Sequence, residues 1–278
     1  MTRILALTIV ALSAGGSLPA AAFQVDGDLL PDWIADRNTW QPYAGRGIHA
    51  AIEDQVGAGG RVYPGWGGQA YDAEALYAAI SGNKLYIALA TGHNPRTLNR
   101  GNSYGAGDFA IDFGKDGTFE LGINIRHAES LKNGIYTFET FGVEGGVYKN
   151  PTWAYGLWDA AGNYTTTKPD PAHPTHLIGG TWAGDAELKY TTTAATGYGQ
   201  TPTDGHYFYE IGVPLSLLLA SGWDGKQPFN IHWTENCAND TILVDPPGGL
   251  PEPATFALMG IGLLGLVQRH NKKKSAVG

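Results

Sequence analysis

Five oxygen-bearing side chains stand at two strand ends of this 278-residue sequence: Asp72 and Glu74 in "YDAEALY", and Glu235, Asn239 and Asp240 in "HWTENCAND". Carboxylates and amides of this kind suit calcium, which takes about six to eight oxygen ligands without demanding ideal geometry. A structural calcium ion is therefore one expectation. The spacing is not that of an EF-hand loop, and Asp and Asn serve ordinary turns equally well. Catalytic pairings fit less well. Asp108 and Asp112 share a strand face four residues apart, about 13 Å at the usual strand rise, whereas glycosidase carboxylates stand about 5–9.5 Å apart. Asp72 and Glu74 come nearer that range but read as readily as metal ligands or a solvated strand start. "GNSYG", Gly101 to Gly105, matches G-x-S-x-G, yet Ser103 sits in a polar loop before a strand, where a nucleophile elbow has no helix to open. His173 and His176 in "HPTH" occupy a Pro-broken stretch that denies them helical i, i+4 geometry.

Aromatic side chains offer a different chemistry. The sequence holds eight Trp and 14 Tyr, and the apolar faces of sugar rings stack on exposed aromatic rings. Trp66 in "YPGWGG" and Trp153, Tyr155 and Trp158 in "PTWAYGLW" lie outside the strand pattern and are the candidate ligand-binding residues; burial under a loop is the competing use of such residues. Trp233 alternates with Ile231 and belongs to the core. Cys237 has no partner in its own chain, and its place after an alternating strand points to a buried thiol, an intermolecular bridge being the alternative.

The elements that must position these residues repeat with period two. In "GDFAIDFGKDGTFELGINI", Phe109, Ile111 and Phe113 share a face, Lys115-Asp116-Gly117 turns the chain, and Phe119, Leu121, Ile123 and Ile125 share a face again: an antiparallel hairpin with one buried side. "EALYAAISGNKLYIALATG" is a second hairpin about Ser81-Gly82-Asn83, although its Ala-rich first arm also fits a short helix. "HYFYEIGV", "FNIHWT" and "DTILV" are further strands, and only "PLSLLLA" suggests a helical turn. Many strands with Gly-rich turns and no long amphipathic helix imply an all-β fold, an antiparallel β-sandwich of jelly-roll type. From Leu131 to Tyr198 the pattern weakens, and loop insertions over one end of the sandwich are expected there.

Both chain ends carry address signals. Arg3, the apolar run Ile4 to Leu12 and Ala20-Ala21-Ala22 form a signal peptide, residues 1–22, read as an N-terminal helix cleaved before Phe23. The β-sandwich domain then covers 23–245, and 246–278 form a tail. Between Phe23 and Leu250 there are 13 basic and 25 acidic side chains, a formal charge of −12; this disfavours nucleic acid and anionic polymers and favours neutral or cationic partners. The tail joins Pro251-Glu252-Pro253 to an apolar helix from Thr255 to Val267 and to Arg269, Lys272, Lys273 and Lys274. It resembles the PEP-CTERM sorting signal of exported bacterial proteins. The resemblance implies transient recognition by an exosortase, a C-terminal helix held in the membrane before processing with its basic end cytoplasmic, and delivery to the cell surface or extracellular matrix.

A second resemblance rests on "VDGDLLPDW", "YDAEALYAAISGNKLYIALATG", "GDFAIDFGKDGTFELGI" and "FYEIGVPLSLL", which look like successive segments of family 9 carbohydrate-binding-module-like and DOMON-like sandwiches. It implies ligand binding on a β-sandwich, often with structural calcium. The reading is a non-catalytic surface or matrix protein binding exopolysaccharide. A purely structural surface protein and a glycan-acting enzyme are the alternatives.

Overall fold

Period-two alternation becomes strand wherever a turn signal closes it in the computed structural model, which describes residues 23–54, 68–95, 105–126, 129–132, 135–138, 141–165 and 167–246. In chain order the elements are α1 (Leu29–Asp32), β1 (Ile34–Asp36), β2 (Gln41–Pro42), β3 (His49–Ile52), β4 (Ala73–Ser81), β5 (Lys84–Thr91), β6 (Phe109–Phe113) and β7 (Leu121–Ile123). They continue with β8 (Glu129–Lys132), β9 (Ile135–Phe138), β10 (Gly146–Tyr155), β11 (Pro174–Asp185), β12 (Glu187–Tyr190), β13 (Tyr207–Pro214), α2 (Leu215–Ala220), β14 (Phe229–Thr234) and β15 (Thr241–Val244). A 3-10 turn spans Gly68–Tyr71.

Eleven of the strands form two antiparallel sheets, one in the order β11-β10-β7-β6-β14-β15 and the other β12-β13-β5-β4-β3. The sheets pack face to face. Leu76, Ala78, Leu85, Ile87, Leu89, Tyr209 and Ile211 of the five-stranded sheet meet Phe109, Ile111, Leu121, Ile123, Ile231 and Trp233 of the six-stranded sheet in one buried cluster. Each aliphatic side chain enclosed there contributes about 1.5–3 kcal/mol, which is what fixes the register: a one-residue slip would turn the whole set outward.

Both expected hairpins are present. Ser81 pairs with Lys84 across a two-residue turn, and Gly82, at φ +59°, takes its first position, where a II′ turn requires glycine. The Ala-rich arm is strand because both of its faces are buried. Ala75, Tyr77 and Ala79 look outward under a lid formed by Phe23, Leu29, Trp33, Ile34 and Trp40, and small residues leave room for those rings. Glu210 fastens the lid, accepting hydrogen bonds from Asp26 N (2.9 Å), Gly27 N (2.6 Å) and Trp33 Nε1 (2.9 Å).

Two expectations need correction. Phe119 does not share the face of Leu121 and Ile123; it lies on the outer side of the six-stranded sheet with Ala110, Tyr148, Trp153 and Leu177, because the turn ends only after it. The stretch from Leu131 to Tyr198 is not a set of loops: it contains the two longest strands among the described residues, of ten and 12 residues. Their pairing shifts register four times and β11 is exposed from Ile178 onward, so no simple alternation survives in the sequence. Among the described residues no helix is long and apolar enough to cross a membrane. Residues 1–22, the tail beyond Pro246, Trp66 and Ser103 lie outside the described residues.

Candidate functional site

Three chain segments converge beside the edge strands β3 and β15. Ile52 pairs with Ala75, and Glu53 N donates to Glu74 O (2.9 Å), so Glu53 and Asp54 arrive next to the start of β4. A register irregularity between Ala73 and Ala75 makes Glu74 the extra residue of a bulge. Asp72 is pinned through its carbonyl, which accepts from Thr91 Oγ1 (2.6 Å) and Gly92 N (2.9 Å). Only glycine fits at 92, since a Cβ there would stand 1.5 Å from Gln69 O. From the other sheet, the turn between β14 and β15 contributes Asp240, whose carboxylate accepts from Ala73 N (2.6 Å) and Thr241 N (2.8 Å).

The result is a group of five acids, Glu53, Asp54, Asp72, Glu74 and Asp240, in which Asp72 is 3 % exposed, Glu74 1 % and Asp240 0 %. Asp72 Oδ2 has no hydrogen-bond partner. Burial, then the charges of Glu74, Asp240, Glu53 and Asp54, push the Asp72 carboxyl up to about 9. Burial and Glu53 lead the causes that raise Asp240 to about 8, and burial followed by Glu74 raises Glu53 to about 7. Burial and a hydrogen bond with Glu74 likewise raise Asp54. Glu74 Oε1 accepts from Gln69 Nε2 (2.5 Å) and lies 3.0 Å from His206 Nδ1. Asp54 and neighbouring Trp40 hold left-handed backbone, φ +50° and +57°, a costly conformation for a tryptophan. Such a group can hold protons or a hard cation.

The sequence-derived oxygen set is only partly brought together. Asp72, Glu74 and Asp240 are neighbours. Glu235 is fully buried with both carboxylate oxygens unpartnered, its Oε1 4.0 Å from His93 Nδ1; burial raises its carboxyl well above the usual range, the charge of Asp240 adding to this. Burial drives His93 down to about 4, so it offers no positive charge at neutral pH. The Asn239 amide turns elsewhere and accepts from Cys237 Sγ (2.5 Å); that thiol is buried and pushed up, chiefly by desolvation. Glu53 and Asp54 were missed by sequence reasoning, their one signal being two adjacent acids after the short stretch "HAAI". A groove of about 250 Å³ lined by Ala51, Ile52, Glu53, Thr241, Ile242 and Leu243 runs beside the group.

Other acids are committed to the backbone. Asp108 accepts from Ile125 N (2.6 Å) and Leu177 N (2.7 Å). Asp112 accepts from Asp116 N (3.1 Å) and Gly117 N (2.8 Å), and Glu120 from Phe113 N (2.8 Å). Asp112, Asp116 and Glu120 do bring ligand oxygens within 4.8 Å of one another, but these bonds explain their positions as turn chemistry. His173 pairs with Asp170 (2.9 Å), and His176 belongs to β11 rather than to a loop.

Of the aromatic candidates, Trp153 is corrected to a packing residue: it is buried against Phe119, ring centroids 6.4 Å apart. Tyr155 is 37 % exposed, and Trp158, partly exposed, meets Tyr164 edge-on at 6.0 Å. Sequence reasoning missed Trp182, cross-strand from Tyr148, 56 % exposed and held by its indole N–H donating to Asp185 Oδ1 (3.0 Å).

Residues 250–273 match the PEP-CTERM protein-sorting motif, a span that takes in Pro251, Glu252, Pro253, Arg269, Lys272 and Lys273 and stops one residue short of Lys274. No curated protein matches the chain. The chain thus carries the sorting motif of exported proteins that are held transiently in the membrane and processed by an exosortase.

Proposed function

We propose that the exported body is a non-catalytic surface or matrix protein that contacts neutral exopolysaccharide through aromatic rings along β10 and β11. On this reading the two packed sheets are of jelly-roll type and of the same broad kind as family 9 carbohydrate-binding-module-like and DOMON-like domains. The observation that carries it is Trp182: a large ring left more than half in water, with its plane fixed by Asp185, is preorganised for stacking on sugar. Tyr155 is a second exposed ring on the same strand pair. The body's charge of −12 suits a neutral polymer. Catalysis is disfavoured because glycoside hydrolysis needs two carboxylates flanking a substrate cleft, and of the five grouped acids only Glu53 lines the groove.

Affinity electrophoresis of the processed protein through gels containing neutral polysaccharides tests the reading. Retardation by at least one polymer, lost in Trp182→Ala and weakened in Tyr155→Ala, is the expected result. Equal mobility of wild type and Trp182→Ala in every gel overturns it.

A further inference from the structure

We propose that the amino group released at Phe23 by removal of the signal peptide is a cation of the folded structure, seated against the Asp32 carboxylate. This builds on the signal peptide read in residues 1–22 and goes beyond it, because the cut creates a charged group for which the body already holds a partner. Hydrolysis of the Ala22–Phe23 bond adds one water, leaves a carboxylate on Ala22 and frees an amine on Phe23 that is protonated at neutral pH. In the uncut chain the same nitrogen is a neutral amide.

Phe23 is a core residue, not a trailing end. It is 6 % exposed, and its ring packs on Trp33 and Tyr86 with centroids 4.6 and 5.3 Å away. First residues ordinarily fray unless they are tied down, and here every residue from Phe23 to Gly27 is held. Gln24 N donates to Asp32 Oδ2 (2.7 Å), Val25 lies against Gly212 of β13, and Asp26 N and Gly27 N donate to Glu210. Adjacent backbone nitrogens stand at most about 3.7 Å apart, so Phe23 N lies within about 6.4 Å of Asp32 Oδ2. At that range an opposite charge favours the ionised form of an amine.

The neighbouring charges leave this place to the ammonium. Among the described residues no basic side chain forms an ion pair with Asp26, Asp28, Asp32 or Glu210. Arg46 reaches the same corner but donates to the carbonyls of Pro31 (2.7 Å) and Asp32 (3.0 Å), and Lys189 passes Gly27 with its aliphatic stem. Glu210 is occupied by Asp26 N, Gly27 N and Trp33 Nε1, and Asp28 caps α1 through Leu30 N. Asp32, 8 % exposed, accepts from Gln24 N at Oδ2 and has lone pairs to spare. Pairing raises the proton affinity of the amine. Its contribution is therefore present below the usual α-amino range, about 7.7–8.0, and is lost as pH rises through the raised value.

N-terminal sequencing of the exported protein comes first and should return Phe23-Gln24-Val25; a different first residue overturns the signal-peptide boundary and the proposal with it. Three forms of the processed protein then test the pairing alone: wild type from Phe23, the same chain with Ala22 added, and Asp32→Asn, whose amide still accepts from Gln24 N. The pH dependence of N-terminal acylation, read by mass spectrometry of the first peptide, should show the wild-type amine binding its proton at least about threefold more tightly than in Asp32→Asn. The Ala22 form should melt about 2–4 °C below wild type at pH 6, with the difference gone at pH 10 and in an Asp32→Asn background. Equal proton affinity in wild type and Asp32→Asn overturns the proposal, as does an Ala22 extension that costs nothing at pH 6 or the same in both backgrounds. Should Asp32→Asn fail to fold, the Ala22 comparison decides by itself, and an equal cost at pH 6 and pH 10 overturns the pairing.

Discussion

Asp108 and Asp72 are both buried aspartates, 2 % and 3 % exposed, at opposite extremes of satisfaction. Asp108 accepts hydrogen bonds from the Leu177 and Ile125 amides, which oppose the effect of burial, and its carboxyl rises to about 7. Asp72 faces four other acids with no such donors, and its carboxyl rises to about 9. Burial alone therefore does not mark a functional acid. Asp108 holds loops in place: its partners lie 17 and 69 residues away, so one carboxylate closes two long connections. Asp72 is held through its backbone carbonyl instead, which accepts from Thr91 Oγ1 and Gly92 N, and its side-chain Oδ2 has no hydrogen-bond partner.

The sharpest contrast comes from truncation. Asp108→Ala strands two buried backbone N–H groups and should cost about 3–5 kcal/mol in urea unfolding, by the same amount with calcium or chelator. A calcium-dependent cost would break the distinction between the two aspartates.

Next in size is the response to pH. Asp72, Asp240 and Glu53 hold folded-state pKa values of about 9, 8 and 7, all raised above the unfolded values. The folded chain keeps protons that the unfolded chain has released, so their contribution is fully present below about pH 4 and is lost as pH rises through 7 to 9. In chelator, stability should fall by about 2 kcal/mol or more between pH 5 and 9. Saturating calcium should flatten that slope, leaving the part due to Asp108 and Glu210, whose carboxyls are also raised to about 7. Denaturant melts across the range, with and without calcium, measure both.

How much of this the sequence discloses depends on how local each feature is. The β6–β7 and β4–β5 hairpins are legible because both arms and the turn signal between them lie within about 20 residues. The sorting tail is legible for a stronger reason, since a linear signal works before any tertiary structure is needed. Asp72, Glu74 and Asp240 stand out as acids at strand ends, but Glu53 and Asp54 do not, because only the β3–β4 pairing carries them to the same place. Glu235 and Asn239 share a segment with Asp240, yet one buries itself beside His93 and the other turns to Cys237; no spacing rule distinguishes those directions. Trp153 and Trp182 are interchangeable as residue types. Trp153 is covered by Phe119 and Leu177 on the outer side of the sheet, whereas Trp182 lies on the exposed stretch of β11.

The smallest effect belongs to an acid that is neither locked nor crowded. Glu187 pairs with Lys84 at 2.7 Å, with side-chain exposures of 58 % and 25 %, so water and salt screen it. Glu187→Gln should change stability by less than about 0.5 kcal/mol, independent of calcium. A larger loss, read from the same urea curves, would mean that exposure is a poor guide to which acids matter here.

Thermal unfolding of wild type and Asp72→Asn, each in saturating calcium and in chelator at equal ionic strength, tests the central claim most directly. At a calcium concentration about 100 times its dissociation constant, binding stabilises the folded chain by about 2.7 kcal/mol, so the wild-type Tm should rise clearly while that of Asp72→Asn stays nearly fixed. In chelator the order should reverse, with Asp72→Asn at least as stable as wild type because a crowded buried acid has been removed. An Asp72→Asn protein that melts below wild type in chelator and gains as much from calcium would show Asp72 to be a structural residue like Asp108, and the expectation of calcium at these acids would be wrong.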